Sequence, residues 1–211
     1  MDVKRLALGP YSTNCYILLC GTTHALIVDP ADDAPMLLAS LGGAQLATIV
    51  VTHGHPDHTG ALAELRRATG APVAAHRMEL PLLALAPDLL LRHGDVLHFG
   101  RCRARVVHLP GHTPGSVGLV LDRRRVLVGD AVFPGGPGHT DSPVDLARLM
   151  KTLRERIFSL SGETRLLPGH GDATSVGREV DSFRRFSKRG WARGVCGDIQ
   201  WHARPAAGPQ I

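Results

Sequence analysis

Short apolar runs alternate with polar, glycine-rich and proline-rich stretches along the chain. Most of these runs are bounded by Gly, Pro, Asp or Asn, which is typical of β-strands. Three longer stretches repeat apolar residues at helical spacing. The predicted strands cover 16–19, 25–28, 47–52, 72–75, 104–109, 117–121, 125–128 and 165–167, and the predicted helices cover 33–41, 59–69 and 142–158. Because strands and helices are mixed, the pattern predicts an α/β or α+β fold with layered sheets.

No interior linker divides the sequence, so we expect a single domain over residues 1–211 with a core from about residue 6 to residue 185. The strongest helix signal lies at 142–158, where Ser142 can cap the first turn and Pro143 suits its first position. The tail 204–211 is rich in Pro, Ala and Gly and is predicted to be flexible.

The composition is that of an ordinary globular protein, with 44% hydrophobic and 20% charged residues. This balance excludes disordered and fibrous classes. The most apolar stretch, 80–91, is interrupted by Pro81, Pro87 and Asp88 and is too short to span a membrane. The apolar run that follows Lys4 is too broken for a signal peptide. We therefore expect a cytoplasmic protein that does not bind membranes.

The net charge is +5, from 24 Lys+Arg against 19 Asp+Glu. The densest basic cluster, 184–193, is interleaved with Phe183, Phe186 and Trp191 and could bind an acidic ligand. A solvated helix face is the favoured interpretation, and no nucleic-acid partner is expected. The four cysteines form no CxxC pair, so they are expected to be buried or inert thiols rather than a disulfide framework.

The candidate chemistry lies in the segment Thr52–Gly60, which reads THGHPDHTG. It places three histidines and one aspartate within six positions: His53, His55, Asp57 and His58. The segment follows an apolar strand and precedes a helix, which is where ligands bind in open sheets. Imidazole and carboxylate groups suit zinc, iron or manganese. Because two of the histidines can point to one side and the remaining pair to a second point, the spacing suggests two metal positions.

Three further segments place a ligand-type residue next to glycine after an apolar strand. They are LPGHTPG around His112, VGDAVF around Asp130 and LPGHG around His170. Each taken alone is compatible with an ordinary turn. A convergent metal centre explains all four loops together.

These motifs, in this order, resemble the metallo-β-lactamase superfamily, and specifically the short form of its glyoxalase II-like branch. The segments GPYSTNCYIL and IVDPADD near the N-terminus resemble the opening strands of that branch. The resemblance covers about residues 6–178. It implies an α+β fold, a four-layer αββα sandwich with the metal site along one edge of its two sheets.

The resemblance also implies a centre of two divalent metal ions, with zinc expected and iron or manganese as alternatives. The implied ligands are His53, His55 and His112 for the first metal, Asp57, His58 and His170 for the second, and Asp130 as a bridge between them. A hydroxide that bridges two metals can act as a nucleophile. Asp57 is the residue expected to orient this hydroxide or accept its proton, and is therefore the catalytic candidate.

The implied activity is hydrolysis of small-molecule thioesters of the hydroxyacylglutathione type, by a monomer or homodimer. Full-length glyoxalase II has a C-terminal helical region that helps bind glutathione, whereas only about 30 residues follow Arg178 here. The identity of the thiol carrier of the substrate is therefore not predicted. His139 stands in PGHTD, where relatives often have Gly-Arg-Thr-Asp. It is a candidate substrate contact, with an ordinary loop histidine as the alternative.

Other functions use the same fold. A persulfide dioxygenase would need one Fe(II) on His53, His112 and Asp130, which leaves the second set of ligands without a metal. A phosphodiesterase is suggested only by the basic cluster at 184–193. A β-lactamase is disfavoured because such enzymes are exported, and a non-catalytic scaffold is disfavoured by the intact ligand set.

Overall fold

The computed structural model describes residues 1–202; the tail predicted to be flexible, 204–211, lies outside the described residues. Two six-stranded sheets pack face to face, and each carries two helices on its outer face. This is the αββα sandwich that the resemblance implied. No helix within residues 1–202 is both long and apolar enough to cross a membrane.

The first sheet is built by the first half of the chain. Its strands, in spatial order, are β1 (Asp2–Leu8), β2 (Thr13–Cys20), β3 (His24–Val28), β4 (Gln45–Val50), β5 (Val73–His76) and β6 (Leu89–Leu91). The first three strands are antiparallel neighbours, and β3 to β6 run parallel. Helices α1 (Ala34–Ser40) and α2 (Leu62–Thr69) pack on the outer face.

The second sheet is built by the second half. Its strands are β7 (Val96–Phe99), β8 (Cys102–His108), β9 (Val117–Val120), β10 (Arg125–Gly129), β13 (Arg165–Pro168) and β14 (Thr174–Ser175). The spatial order is β14-β13-β10-β9-β8-β7, and only β10 and β13 are parallel neighbours within it. A separate hairpin joins β11 (Val132–Phe133) to β12 (Gly136–Pro137). Helices α3 (Pro143–Arg156) and α4 (Val176–Arg189) pack outside this sheet.

Burial on both faces explains the continuous apolar strands. Every residue of β2 is buried. Because successive side chains of a strand point to opposite faces, Ile17 packs towards α1 and α2 while Leu18 packs towards the second sheet. The eight predicted strands and three predicted helices are all present, with shifts of one to three residues at most ends. Six strands were not predicted: β1 and the short strands β6, β7, β11, β12 and β14.

One expectation about the cysteines is wrong. Cys20 and Cys102 form a disulfide, with their Cα atoms 5.6 Å apart. The first residue ends β2 and the second begins β8, and both lie in the apolar layer between the sheets. Sequence spacing gave no signal because the packing of two sheets brings the pair together across 82 residues. Cys15 and Cys196 are free, and burial raises the pKa of the Cys15 thiol, as expected for an inert core cysteine.

Candidate metal centre

The seven predicted ligands lie on four loops, each at the carboxyl end of a strand. The loop after β4 carries His53, His55, Asp57 and His58, and the loops after β8, β10 and β13 carry His112, Asp130 and His170. Both sheets contribute, so the loops meet along one edge of the sandwich. Among residues 1–202, the side chains able to hold a metal form three overlapping groups, which together contain these seven residues.

The first group contains three imidazoles. The Nε2 atom of His53 lies 3.1 Å from Nδ1 of His55 and 3.2 Å from Nε2 of His112. The remaining pair, His55 Nδ1 and His112 Nε2, is 3.1 Å apart. Three ring nitrogens thus form a nearly equilateral triangle.

The second group contains a carboxylate and two imidazoles. The Nε2 atoms of His58 and His170 are 3.2 Å apart. Oδ2 of Asp57 lies 3.6 Å from the first of these nitrogens and 3.2 Å from the second. The Thr13 hydroxyl donates to the same carboxylate oxygen at 3.0 Å and fixes its position.

Asp130 lies between the two groups. Its Oδ2 atom is 3.4 Å from Nε2 of His170 and 3.9 Å from Nε2 of His112. Its Oδ1 atom is buried, lies 3.6 Å from Nε2 of His58 and accepts no hydrogen bond from residues 1–202. Gly169 is required here, because a Cβ atom at that position would stand 2.0 Å from Oδ1 of Asp130. The backbone therefore leaves room around a buried carboxylate that has no donor of its own.

The donor set fits two divalent metal ions. In a tetrahedral zinc site with Zn–N distances of ~2.0–2.1 Å, the ligand nitrogens lie ~3.3–3.4 Å apart, close to the spacings of the first group. Three imidazole nitrogens facing one point cannot all be satisfied by protons shared among themselves. A cation satisfies all three at once. The position of Asp130 beside both groups is the one required of a bridging ligand.

The outer ring nitrogens have partners that orient the histidines. The backbone carbonyl of His139 lies 2.9 Å from Nδ1 of His112, and that of Tyr11 lies 3.2 Å from Nδ1 of His170. A carbonyl only accepts, so each Nδ1 carries the proton and each Nε2 presents a lone pair to the centre. Such partners hold ligating rings in one tautomer.

Asp29 orients the rings of His53 and His58. It is buried and accepts hydrogen bonds from the backbone and the hydroxyl of Thr52, both at 2.7 Å. The Thr52 hydroxyl uses its proton in this bond, so at 3.1 Å it accepts from Nδ1 of His53. Oδ2 of Asp29 also lies 3.0 Å from Nδ1 of His58. One carboxylate thus directs a nitrogen of each ring towards the centre.

Burial and charge set opposite protonation preferences within the centre. Burial and neighbouring histidines hold the pKa of His53 well below its usual range, and burial also lowers the pKa of His112. Burial opposes ionisation of Asp130, yet the His170 and His58 rings hold the pKa of its carboxyl well below the usual value. For His58, burial is outweighed by Asp29 and Asp130, which raise its pKa to about 10. A cation at the second group must therefore displace a proton from His58.

A buried glutamate fastens the loop after β4 to the loop after β8. Glu79 is fully buried and accepts hydrogen bonds at 2.7 Å from the backbone of Gly54 and Gly115 and from the hydroxyl of Thr113. These bonds satisfy a carboxylate that would otherwise be costly to bury. They also fix the position of His112 relative to the loop after β4.

A cavity of about 520 Å³ opens beside the centre. Its walls include the predicted ligands His112 and Asp130, the β11–β12 hairpin, and the C-terminal residues 198–200. His139 lines this cavity, with its ring 3.0 Å from Oδ1 of Asp198 and 3.4 Å from Oδ1 of Asp141. The candidate substrate contact thus lies at the cavity, paired with acidic side chains.

The C-terminal segment is anchored by Trp201, which is buried. Its indole donates to Oε2 of Glu179 at 3.0 Å, and its ring packs against Phe158, Phe183 and Phe186. The two phenylalanines of α4 are therefore core residues and are not available to stack on nucleic-acid bases. The basic residues of this helix lie on its outer side, in agreement with the favoured interpretation of a solvated face.

Sequence reasoning missed Asp29, Glu79 and Trp201. The signal for Asp29 was its place directly after β3, since acidic residues at strand ends are candidates for a site. Glu79 stands in a leucine-rich segment that gave no periodic pattern, and the only signal was a lone acid among apolar residues. Trp201 follows the last regular element and had no pattern at all.

Known proteins resemble this chain over most of its length. A family model described as the metallo-beta-lactamase superfamily matches residues 8–170. The hydroxyacylglutathione hydrolase GloC of Haemophilus influenzae is 29% identical over 86% of this chain and 96% of its own. A hydroxyacylglutathione hydrolase of Anaeromyxobacter dehalogenans is 40% identical over 74% of this chain and 60% of its own.

Solved structures show the same likeness. BLEG-1, described as a B3 metallo-beta-lactamase, has a TM-score of 0.77 and 30% identity, and the match covers 85% of this chain and 97% of its own. TTHA1623 in a di-iron-bound form has a TM-score of 0.72 and 36% identity, and the match covers 84% of this chain and 96% of its own. ETHE1 of Myxococcus xanthus has a TM-score of 0.78 and 29% identity, and the match covers 88% of this chain and 84% of its own.

Proposed function

Because the chain belongs to the metallo-β-lactamase superfamily of metal-dependent hydrolases, we propose that it hydrolyses thioesters of the hydroxyacylglutathione type with two divalent metal ions. The observation that carries this proposal is the convergence of seven ligand-type side chains into two groups that share Asp130. The two relatives named as hydroxyacylglutathione hydrolases support the substrate class. The di-iron-bound neighbour supports a dinuclear centre.

The protein supplies a rigid, oriented set of ligands. His53, His55 and His112 would hold one metal, Asp57, His58 and His170 the other, and Asp130 would bridge them. Two bound cations of this kind supply a hydroxide nucleophile near neutral pH and polarise the carbonyl oxygen of the substrate. The cavity beside His112 is the place where the thioester would enter, between the β11–β12 hairpin and residues 198–200.

Asp57 is the residue to which we assign proton handling. Its side chain is 21% exposed, unlike the fully buried His58 beside it, so it reaches the open side of the centre. Thr13 holds one carboxylate oxygen in place. General-base catalysis contributes about 10²–10⁴-fold, so Asp57→Asn should lower kcat by that factor. Asp181→Asn, a change at an exposed carboxylate of α4, is the matched control. Normal metal content together with normal turnover in Asp57→Asn would show the assignment to be wrong.

The proposed function is tested with purified protein and S-D-lactoylglutathione, after loading with zinc, iron or manganese. We expect turnover well above background and about two metal equivalents per chain. No turnover with any of the three metals would reject thioester hydrolysis. One equivalent of iron, with oxygen consumption on glutathione persulfide, would instead favour the mononuclear dioxygenase.

A second candidate, β-lactam hydrolysis, is favoured by the 30% identity to BLEG-1. The same protein should therefore be assayed with a chromogenic cephalosporin. Faster turnover of the cephalosporin than of the thioester would make β-lactam hydrolysis the favoured function.

A further inference from the structure

A groove of about 720 Å³ lies on the outer face of the second sheet, away from the metal centre. Its floor is a row of paired residues across four neighbouring strands: Val96 pairs with Arg105, Arg105 with Val120, and Val120 with Val126. Residues paired in this way share one face of a sheet. Val126 precedes Asp130 by four residues, roughly 13 Å of extended chain. The groove is therefore a separate feature from the cavity beside the predicted ligands.

Apart from Arg105, the floor of the groove is apolar, and it is partly open to solvent. Helices α3 and α4 cover the part of this face nearer β13, whereas Val96 on the edge strand β7 is 42% exposed. Val120 and Leu160 are half-buried and add apolar surface along the groove. The volume falls within the ~300–1,000 Å³ range of small-molecule sites. The apolar part of a small-molecule ligand fits this floor.

The rim of the groove carries a surplus of positive charge. Arg103, Arg105 and Arg123 line it, and none of the three is paired with an acidic side chain within residues 1–202. The one lining carboxylate, Asp122, is already engaged by the guanidinium of Arg125, at 2.7 Å and 2.8 Å. Unpaired guanidinium groups that share a surface repel one another, and a bound carboxylate or phosphate would relieve this repulsion.

The excess of positive charge also affects the pKa of a neighbouring histidine. Burial, Arg156 and Arg105 together lower the pKa of His93. The two arginines act on that ring in the same direction. This agrees with the absence of acidic partners along the groove in the described part of the chain.

We propose that this groove is a binding site for an amphiphilic carboxylate, with its apolar chain on the valine floor and its acid group on Arg103, Arg105 and Arg123. The site lies beyond the proposed hydrolase centre and does not depend on it. Its ligand is defined by two features together, an apolar chain and one anionic end. A free small anion lacks the first feature and an alkyl cation lacks the second.

The proposal is tested by calorimetric titration of the full chain, as purified, with decanoate, acetate and decyltrimethylammonium. We expect saturable binding of about one equivalent of decanoate, at least tenfold weaker binding of acetate, and no saturable binding of the cation. Hydrogen bonds to a charged group typically contribute enough to change affinity about tenfold or more. Arg105→Gln should therefore weaken decanoate binding by at least that factor.

Arg101→Gln is the matched control, because Arg101 is exposed in the turn before β8 but does not line the groove. Arg123→Gln, in the exposed turn between β9 and β10, serves as a second variant if Arg105→Gln fails to fold. A carboxylate bound at the metal centre would be unaffected by either groove substitution. Unchanged decanoate affinity in the folded groove variants, an equal loss in Arg101→Gln, or equal binding of the cation would overturn the proposal.

Discussion

Replacing Asp29 by asparagine tests how the second metal group is oriented. The two side chains have nearly the same shape, and asparagine tolerates the left-handed backbone of this residue, φ 53°. The amide oxygen can keep the bond from the Thr52 backbone. The amide nitrogen then faces Nδ1 of His58, where Asp29 has an oxygen at 3.0 Å. An amide N–H donates, so Nδ1 must become an acceptor and the proton moves to Nε2, the atom that faces the centre.

The expected cost is a loss of metal affinity that acts directly on the second group, through His58, and indirectly on the first, through Thr52 and His53. Changing an outer carboxylate that orients a ligating histidine typically costs 10–100-fold in metal affinity, equivalent to about 1.4–2.7 kcal/mol. The upper part of this range applies here because the wrong tautomer blocks the ligand atom itself. The Thr52 hydroxyl donates to the same Oδ2 atom and loses this acceptor, so its proton can turn towards Nδ1 of His53, and the group containing His53 should weaken as well.

The assay is a zinc titration against a competing chelator, which resolves two equivalents, together with nitrogen NMR of the histidine rings to read the tautomer of His58. Asp32→Asn is the control, since it removes the same charge from an exposed side chain three residues further along. Binding of both equivalents by Asp29→Asn as tightly as by the unsubstituted protein would contradict an orienting role for Asp29. Equal weakening of binding in Asp32→Asn would also contradict this role, because the effect would then be one of net charge.

Three further predictions concern pH, packing and redox state. The proton on His58, whose pKa is about 10, competes with a cation, so metal affinity at the second group should rise about tenfold per pH unit from pH 7 to 9. Metal titrations across that range should show no change in affinity at the group containing His53, because the lowered pKa of His53 leaves no proton to displace. Trp201→Ala should lower the free energy of unfolding by about 3–5 kcal/mol in urea melts, because Trp201 is buried. Val144→Ala, a change at an exposed residue of α3, is the control and should be near neutral. Reduction of the Cys20–Cys102 disulfide, which closes 82 residues, should destabilise the fold by up to about 4.5 kcal/mol, and an unchanged melt in reductant would contradict this.

The sequence was informative where a local pattern reflects a local cause. Strand β2 reads as an apolar run because both of its faces are buried, and α3 shows its cap at Ser142 and its stripe of buried leucines. The loop after β4 was recognisable because four ligand-type residues stand within six positions. His112, Asp130 and His170 gained their meaning only together, as one motif set.

The unpredicted features depend on contacts between distant segments. The carboxylate of Glu79 acquires its role only when β4 and β8 place Gly54 and Gly115 on either side of it. The pairing of Cys20 with Cys102 depends on how two sheets face each other. Strand β6 lies in a segment of leucines without alternation, and its β-structure follows from pairing with β5. None of these contacts leaves a short-range pattern in the sequence.

The division of the ligands between the two sheets has a consequence for synthesis of the protein. A nascent chain presents His53, His55, Asp57 and His58 to the cell long before His170 has been translated. Until His112 and Asp130 have been translated, a captured cation finds at most four of the seven ligands of the centre and no bridging carboxylate. Correct metal loading therefore has to follow docking of the second half onto the first, and an ion bound earlier must be released or carried into place.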